Sequence, residues 1–216
     1  MTIPAGLLFD MDGTLTDSEQ LWFAAEKELF AELGHEWVDG MQHDIIGMSM
    51  TSATTFLVQK MGLDIPPAEL GKELTARVVR LGKEHGMPWL PGALELLQSS
   101  ASWGIPSALV TSSMPEFAGL TLANAPAGTL TVCVTGDRTR GKPHPDPYLL
   151  AAKELGVVPE QCVAFEDSIP GLQAAVAAGT KAVGVPCQVE LPEIAGVTYI
   201  ESLSEVTKEF LISRFN

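Results

Sequence analysis

Apolar and polar positions along this 216-residue chain follow two different periods, and the switches between them outline its architecture. An unbroken apolar run, Leu7-Leu8-Phe9, stops at Asp10-Met11-Asp12-Gly13. A short run of this kind closed by a glycine predicts a buried strand followed by a turn. Over residues 18–33 the spacing becomes helical, with Leu21, Trp22, Ala25, Leu29 and Leu33 on one face, Ser18 as the cap and Gly34 as the stop. Residues 51–61 and 69–85 predict two further helices, separated by Gly62 and the Pro66-Pro67 break, and no strand is expected between residues 15 and 88.

Beyond Pro88 the pattern alternates. Helices are expected over residues 93–100, 147–155 and 171–178, and strands over residues 107–110, 130–134, 162–165 and 182–185. Strands alternating with helices imply βαβ units and a mainly parallel sheet. The simplest organisation is an α/β core, residues 1–16 plus 89–216, interrupted after its first strand by an all-helical insertion over residues 17–88.

Composition narrows the function classes. The net charge of −14 argues against nucleic acid or an anionic membrane as partner, since a phosphate backbone needs a basic footprint. A small phosphorylated substrate stays open, because one lysine and a metal ion can reverse the field locally. No apolar run approaches a membrane span, and Asp10 and Asp12 interrupt the only stretch resembling a secretory signal. Three widely spaced cysteines (133, 162, 187) form neither a disulfide framework nor a zinc site, so a reduced, cytoplasmic protein is expected, and a monomer.

Two carboxylates one residue apart at the end of a strand sit where open α/β sheets bind ligands, and they suit a hard cation. An exposed acidic turn would read the same way. A calcium loop of the EF-hand type would not, because Gly13 falls at position 4 of such a loop and Leu21 occupies position 12. Three further segments end in polar residues: Thr111-Ser112-Ser113 offers hydroxyls and N–H groups to an anion, Gly141-Lys142-Pro143 holds a point charge, and Glu166-Asp167-Ser168 adds a carboxylate pair. Each has an ordinary alternative: a Ser/Thr helix cap, a solvated lysine, and an Asp167 N-cap.

Taken in order, Asp-x-Asp-Gly-Thr, strand–Thr-Ser, Gly-Lys-Pro and strand–Glu-Asp-Ser resemble the four motifs of the haloacid dehalogenase superfamily. The resemblance covers nearly the whole chain and implies a Rossmann-like core with a type-1 helical cap. Thr16-Asp17-Ser18-Glu19 with Leu21-Trp22 is similar to sugar-phosphate phosphatases of the 2-deoxyglucose-6-phosphatase and hexitol-phosphatase kind. It implies a phosphatase acting on a small phosphorylated metabolite, with Asp10 as nucleophile, an aspartyl-phosphate intermediate, and Asp12 as the acid and base serving the leaving alcohol and the water. Mg²⁺ is the implied cofactor, held by Asp10, Asp12 through its carbonyl, and Asp167, with Glu166 bound directly or one layer out. Lys142, Thr111 and the N–H groups near Met11 and Ser112 are implied to hold the phosphoryl oxygens.

The nearest rival, the β-phosphoglucomutase type, shares all four motifs. Trp22 stands where that group carries a cap histidine, and Gly47-Met48-Ser49 is followed by Met50 rather than by an arginine able to grip a second phosphate. Both departures favour hydrolysis. A phosphonatase would need a cap lysine in the site, for which Lys27, Lys60, Lys72 and Lys83 are available. Substrate choice is expected in the cap, from Glu19, Trp22, Met50, Arg77, Arg80 and Lys83.

Overall fold

The computed structural model describes residues 2–37, 40–45, 48–188 and 190–215. Six strands, β1 (Gly6–Phe9), β2 (Ser107–Val110), β3 (Leu130–Val134), β4 (Cys162–Glu166), β5 (Lys181–Gly184) and β6 (Val197–Tyr199), form one sheet in the order β3-β2-β1-β4-β5-β6. Every pairing is parallel. The order reverses between β1 and β4, so the crevice at the strands' carboxyl ends opens beside β1. Among the described residues eight α-helices accompany the sheet: α1 (Glu19–Glu32), α2 (Met50–Met61), α3 (Pro67–His85), α4 (Ala93–Ser102), α5 (Pro115–Asn124), α6 (Asp146–Leu155), α7 (Ile169–Ala177) and α8 (Lys208–Ser213).

The strands are apolar runs because both faces of the sheet are covered. Leu7, Phe9, Leu109, Val163 and Phe165 point to the face packed by α3, α4 and α5, whereas Leu8, Ala108, Val110 and Ala164 point to the face packed by α6 and α7. Phe9 and Phe165, paired in register, stack with centroids 5.1 Å apart. A third cluster lies wholly between β1 and β2 in sequence, where Leu29, Phe30, Leu57, Leu70 and Leu74 join α1, α2 and α3. Leu21, Ala25, Val78 and Leu81, on other faces of α1 and α3, belong instead to the core over the sheet.

The expected elements form, with ends displaced by a few residues. Of the labelled strands and helices, α5, β6 and α8 were not anticipated. The helical segment leaves and rejoins the sheet through neighbouring strands of chain, with Asp17 N–H donating to Pro88 O (2.7 Å), Leu90 N–H to Leu15 O (2.9 Å) and Thr16 bridging Trp89.

Phe30 is fully buried and meets Trp37 edge-on at 5.0 Å. Phe30→Ala should therefore cost about 3–5 kcal/mol in urea unfolding, and a loss below about 1 kcal/mol would mean that the helical cluster contributes little to stability.

Candidate active site

Strand register brings the polar strand ends together. Phe9 pairs with both Leu109 and Phe165, so Asp10, one residue on, is level with Val110 and Glu166, and its N–H donates to Phe165 O at 3.0 Å. Lys142 reaches in from the loop between β3 and α6. Its ammonium lies 2.6 Å from Asp10 Oδ1, 2.5 Å from Glu166 Oε1 and 2.9 Å from Val110 O, and its side chain is 4% exposed. Tyr148 on α6 donates to Glu166 Oε1 at 2.5 Å, and Ser168 donates to Oε2 at 3.0 Å. A Cβ on Gly171 would lie 2.0 Å from Glu166, so only glycine lets this carboxylate rest against the first turn of α7.

Asp167 comes next to the same point. Gly13 has φ +85°, and a Cβ there would meet Asp167 Oδ2 at 2.0 Å, so the turn after β1 needs glycine twice over. Asp10, Glu166 and Asp167, all buried, offer oxygens within 4.8 Å of one another. Asp10 Oδ2 has no hydrogen-bond partner among the described residues. Three buried carboxylates with one buried ammonium leave surplus negative charge, which is costly away from water. The same surplus appears in the titration: burial, then Glu166, push Asp10 up to about 7 against the pull of Lys142. Burial, then Asp10 and Glu166, hold Asp167 well above the usual carboxylate range. Burial disfavours the charge on Lys142, but Asp10 and Glu166 outweigh it and hold the lysine above its ordinary value. An oxygen donor set with an unpartnered buried oxygen and excess negative charge fits a hard divalent cation.

Asp12 faces a different set of groups. Ser18 Oγ donates to Oδ1 at 2.5 Å and Trp22 Nε1 approaches the same oxygen at 3.4 Å, while Ser113 Oγ (2.7 Å) and Thr111 Oγ1 (3.3 Å) donate to Oδ2. Ser18 stands at the start of α1 but makes no side-chain cap bond, so its hydroxyl serves the carboxylate rather than the helix. Asp167 is likewise not the cap of α7, because Ser168 accepts from Gly171 N–H in that role. Nor does Ser112 or Ser113 cap α5, which begins after Met114 without a side-chain cap. Among the described residues, the main-chain N–H groups of Met11, Asp12 and Ser112 find no main-chain acceptor.

A cavity of about 120 Å³ opens over these groups. Asp10, Asp12, Ser112, Ser113, Lys142, Asp167 and Ser168 line its floor, and α1 supplies Glu19, Trp22 and Glu26 from one helical stripe. Met48, Met50, Ala53, Thr54, Leu57 and Leu74 form the far wall. Burial, then Asp12 and Asp17, push Glu19 up to about 7; burial, then Glu19, push Glu26 up to about 8.

Of the residues expected from sequence, Asp10, Asp12, Glu19, Trp22, Met50, Lys142 and Asp167 line the cavity together with Ser112. Thr111 and Met11 lie buried behind it, and the Thr111 hydroxyl is turned to Asp12 and to Ser113 N–H. Glu166 is fully buried beneath, engaged by Lys142, Tyr148 and Ser168. Arg77 and Arg80 go elsewhere. Arg77 pairs with Glu32 and Glu73, and Arg80 with Glu28 and Glu84, because the polar face of α3 packs alongside the acidic face of α1. Lys83 is exposed, and like both arginines it is absent from the cavity lining. Gly47 lies outside the described residues. Ser18, Tyr148 and Glu26 are site residues that sequence reasoning did not single out, and the Ser113 hydroxyl, expected to face an anion, is turned to Asp12. For Glu26 a signal existed, since it stands seven residues after Glu19 and four after Trp22, on their stripe.

Residues 4–179 match the model of the haloacid dehalogenase-like hydrolase family. The chain is 36% identical over 212 residues to hexitol phosphatase A of Escherichia coli, covering 94% of this chain and 93% of that protein. It is 36% identical over 191 residues to a fructose-1-phosphate phosphatase of the same organism, covering 84% and 96%. The crystal structure of CbbY from Rhodobacter sphaeroides in complex with phosphate superposes with a TM-score of 0.85 at 30% identity, covering 94% and 96% of the two chains.

Glu26 gives a pH signature. Its folded-state value, about 8, lies above the ordinary carboxyl value of 4.5, so the folded protein binds the extra proton between these limits and loses stability as pH rises through them. The melting temperature of Glu26→Gln should accordingly gain on the wild type from pH 5 to pH 8, and a constant difference across that range would contradict the assignment.

Proposed function

The chain belongs to the haloacid dehalogenase-like hydrolases, and on that premise we propose that it is a magnesium-dependent phosphatase of a small sugar or polyol phosphate, working through an aspartyl-phosphate intermediate. The observation that carries the reading is the division of the cavity: its one cation among the described residues, Lys142, stands on the floor beside Asp10, and the far wall is apolar. A monophosphate with a neutral body suits that division. A mutase has to grip a second phosphate, and the far wall offers no basic side chain among the described residues. The named activities of the hexitol and fructose-1-phosphate relatives support the same substrate class.

In this reading Asp10 attacks phosphorus while the bond from phosphorus to the leaving oxygen breaks, and the phosphoryl group passes to the Asp10 carboxylate. Asp12 gives its proton to the departing alkoxide. It then takes a proton from the water that attacks the aspartyl-phosphate, which restores Asp10 and releases phosphate. The surroundings of Asp12 suit a group that both gives and takes a proton. Three of its four partners are hydroxyls, which rotate from donor to acceptor, and only the Trp22 N–H is obliged to donate. Lys142 and the N–H groups of Met11 and Ser112 hold the phosphoryl oxygens, while Thr111 and Ser113 steady Asp12. Glu166 acts at one remove: bound to Lys142, Tyr148 and Ser168, it fixes the ammonium beside Asp10.

Magnesium, held by Asp10, Asp167 and the Asp12 carbonyl, would when bound neutralise charge developing on the transferred group. Residues 17–88 act as a cap over the core formed by residues 1–16 and 89–216, hinged where Asp17 and Leu90 pair with Pro88 and Leu15, and closure excludes water.

Phosphate release from hexitol 6-phosphates, fructose 1-phosphate, 2-deoxyglucose 6-phosphate, phosphoglycolate and β-glucose 1-phosphate tests the proposal directly. Release from the sugar and polyol esters should stop with EDTA and return with Mg²⁺. Asp10→Asn should lower kcat by at least about 10³-fold, and Lys142→Ala by about 10²–10³-fold. Conversion of β-glucose 1-phosphate to the 6-phosphate without release would replace hydrolysis by the mutase reaction.

A further inference from the structure

Glu26 lies in the cavity, and the proposed chemistry makes no use of it. It is 5% exposed, and its Oε2 is buried without a hydrogen-bond partner among the described residues. Its neighbours along the lining do not supply one. Ala53, Leu57 and Leu74 are apolar, and the Thr54 hydroxyl already donates to Met50 O at 2.8 Å within α2. A buried carboxyl without a partner weakens a fold, and a leucine here would continue the apolar wall without that cost. The group is therefore explained by something that enters the cavity.

Its position says what. Glu19 stands at the phosphoryl end, close enough to Asp12 and Asp17 to feel their charge, and Glu26 lies two helical turns further along α1, about 10 Å away by helix rise. An extended hexitol phosphate with its phosphoryl group at Asp10 spans such a distance, whereas a glycerol phosphate does not. Burial keeps Glu26 protonated up to about pH 8, so the group offers both a donor and an acceptor to a hydroxyl. A carboxylate or phosphate at the same end of the ligand would meet the Glu26 carboxyl and no cation among the described lining residues.

We infer that Glu26 is a specificity-determining residue whose carboxyl group hydrogen-bonds a hydroxyl at the far end of a polyol or sugar phosphate, with Trp22 lying along the chain between them. The assignment rests on the phosphatase reading above and deepens it. It selects esters by length, by a far-end hydroxyl and by the absence of a second charge.

The test is the ratio of kcat/KM for sorbitol 6-phosphate to that for glycerol 3-phosphate, measured for the wild type, Glu26→Leu and Glu26→Gln. The wild type should prefer the longer ester. Glu26→Leu, which removes both donor and acceptor, should lower the ratio by about ten- to a hundredfold, mainly through KM for the longer ester. Glu26→Gln keeps a donor and an acceptor and should recover most of the preference, a rescue that a purely structural role would not produce. A preference for glycerol 3-phosphate in the wild type, or an unchanged ratio in Glu26→Leu, would overturn the role of Glu26 while leaving hydrolysis in place. Failure to release phosphate from either ester would also overturn the role of Glu26, and failure across the whole panel above would overturn hydrolysis with it.

Discussion

One buried ammonium set among three buried carboxylates governs this molecule. Among the described residues Lys142 is the only charge partner of Asp10 and Glu166, and it reaches both because β1 and β4 end in register. Clusters of this kind contribute little net stability, since removing each charge from water costs about as much as pairing returns. The fold meets that cost in the layer beneath. Phe9 and Phe165, each one residue before a carboxylate, stack at the centre of a sheet covered on both faces. The charged cluster thus rests on fully buried side chains of the central strands. The surplus of buried carboxylates suits the site to a cation.

The architecture was legible because parallel strands buried on both sides appear as plain apolar runs, and because the strand ends carry their chemistry in order. Asp10, Lys142 and Asp167 could be named from that order alone. The unanticipated elements are those whose pattern carries little signal. β6 has three residues, α8 has six, and α5 contains Gly119 and no clear polar face. The site residues that were missed depend on tertiary choice. Ser18 sits where serine ordinarily caps a helix, and only the approach of Asp12 diverts its hydroxyl. Arg77 and Arg80 were drawn away from the cavity by Glu28 and Glu32, which no local rule ties to α3. Glu26 was overlooked because a glutamate within an amphipathic helix is ordinarily assigned to water.

The helical segment is less separable than its insertion between β1 and β2 implies. α1 and α3 each have two apolar faces. One face, with Leu29, Phe30, Leu70 and Leu74, packs against α2, and the other, with Leu21, Ala25, Val78 and Leu81, joins the core over the sheet. Trp22 meets Phe117 of α5 edge-on at 5.3 Å. The connections at residues 16–17 and 88–90 leave the sheet side by side, so movement of the segment is constrained at a paired pivot as well as along this apolar seam.

The four donors around Asp12 are divided evenly: Thr111 and Ser113 come from the sheet, Ser18 and Trp22 from the first turn of the helical segment and its approach. Half of what surrounds the carboxylate therefore travels with the part of the chain that lines the far cavity. A graft of a foreign helical segment onto this sheet would import a new set of substrate contacts and, with them, a new environment for Asp12. On the proposed reading selectivity and turnover are thereby coupled, and a chimera that exchanges one will retune the other unless residues 18 and 22 are carried across unchanged.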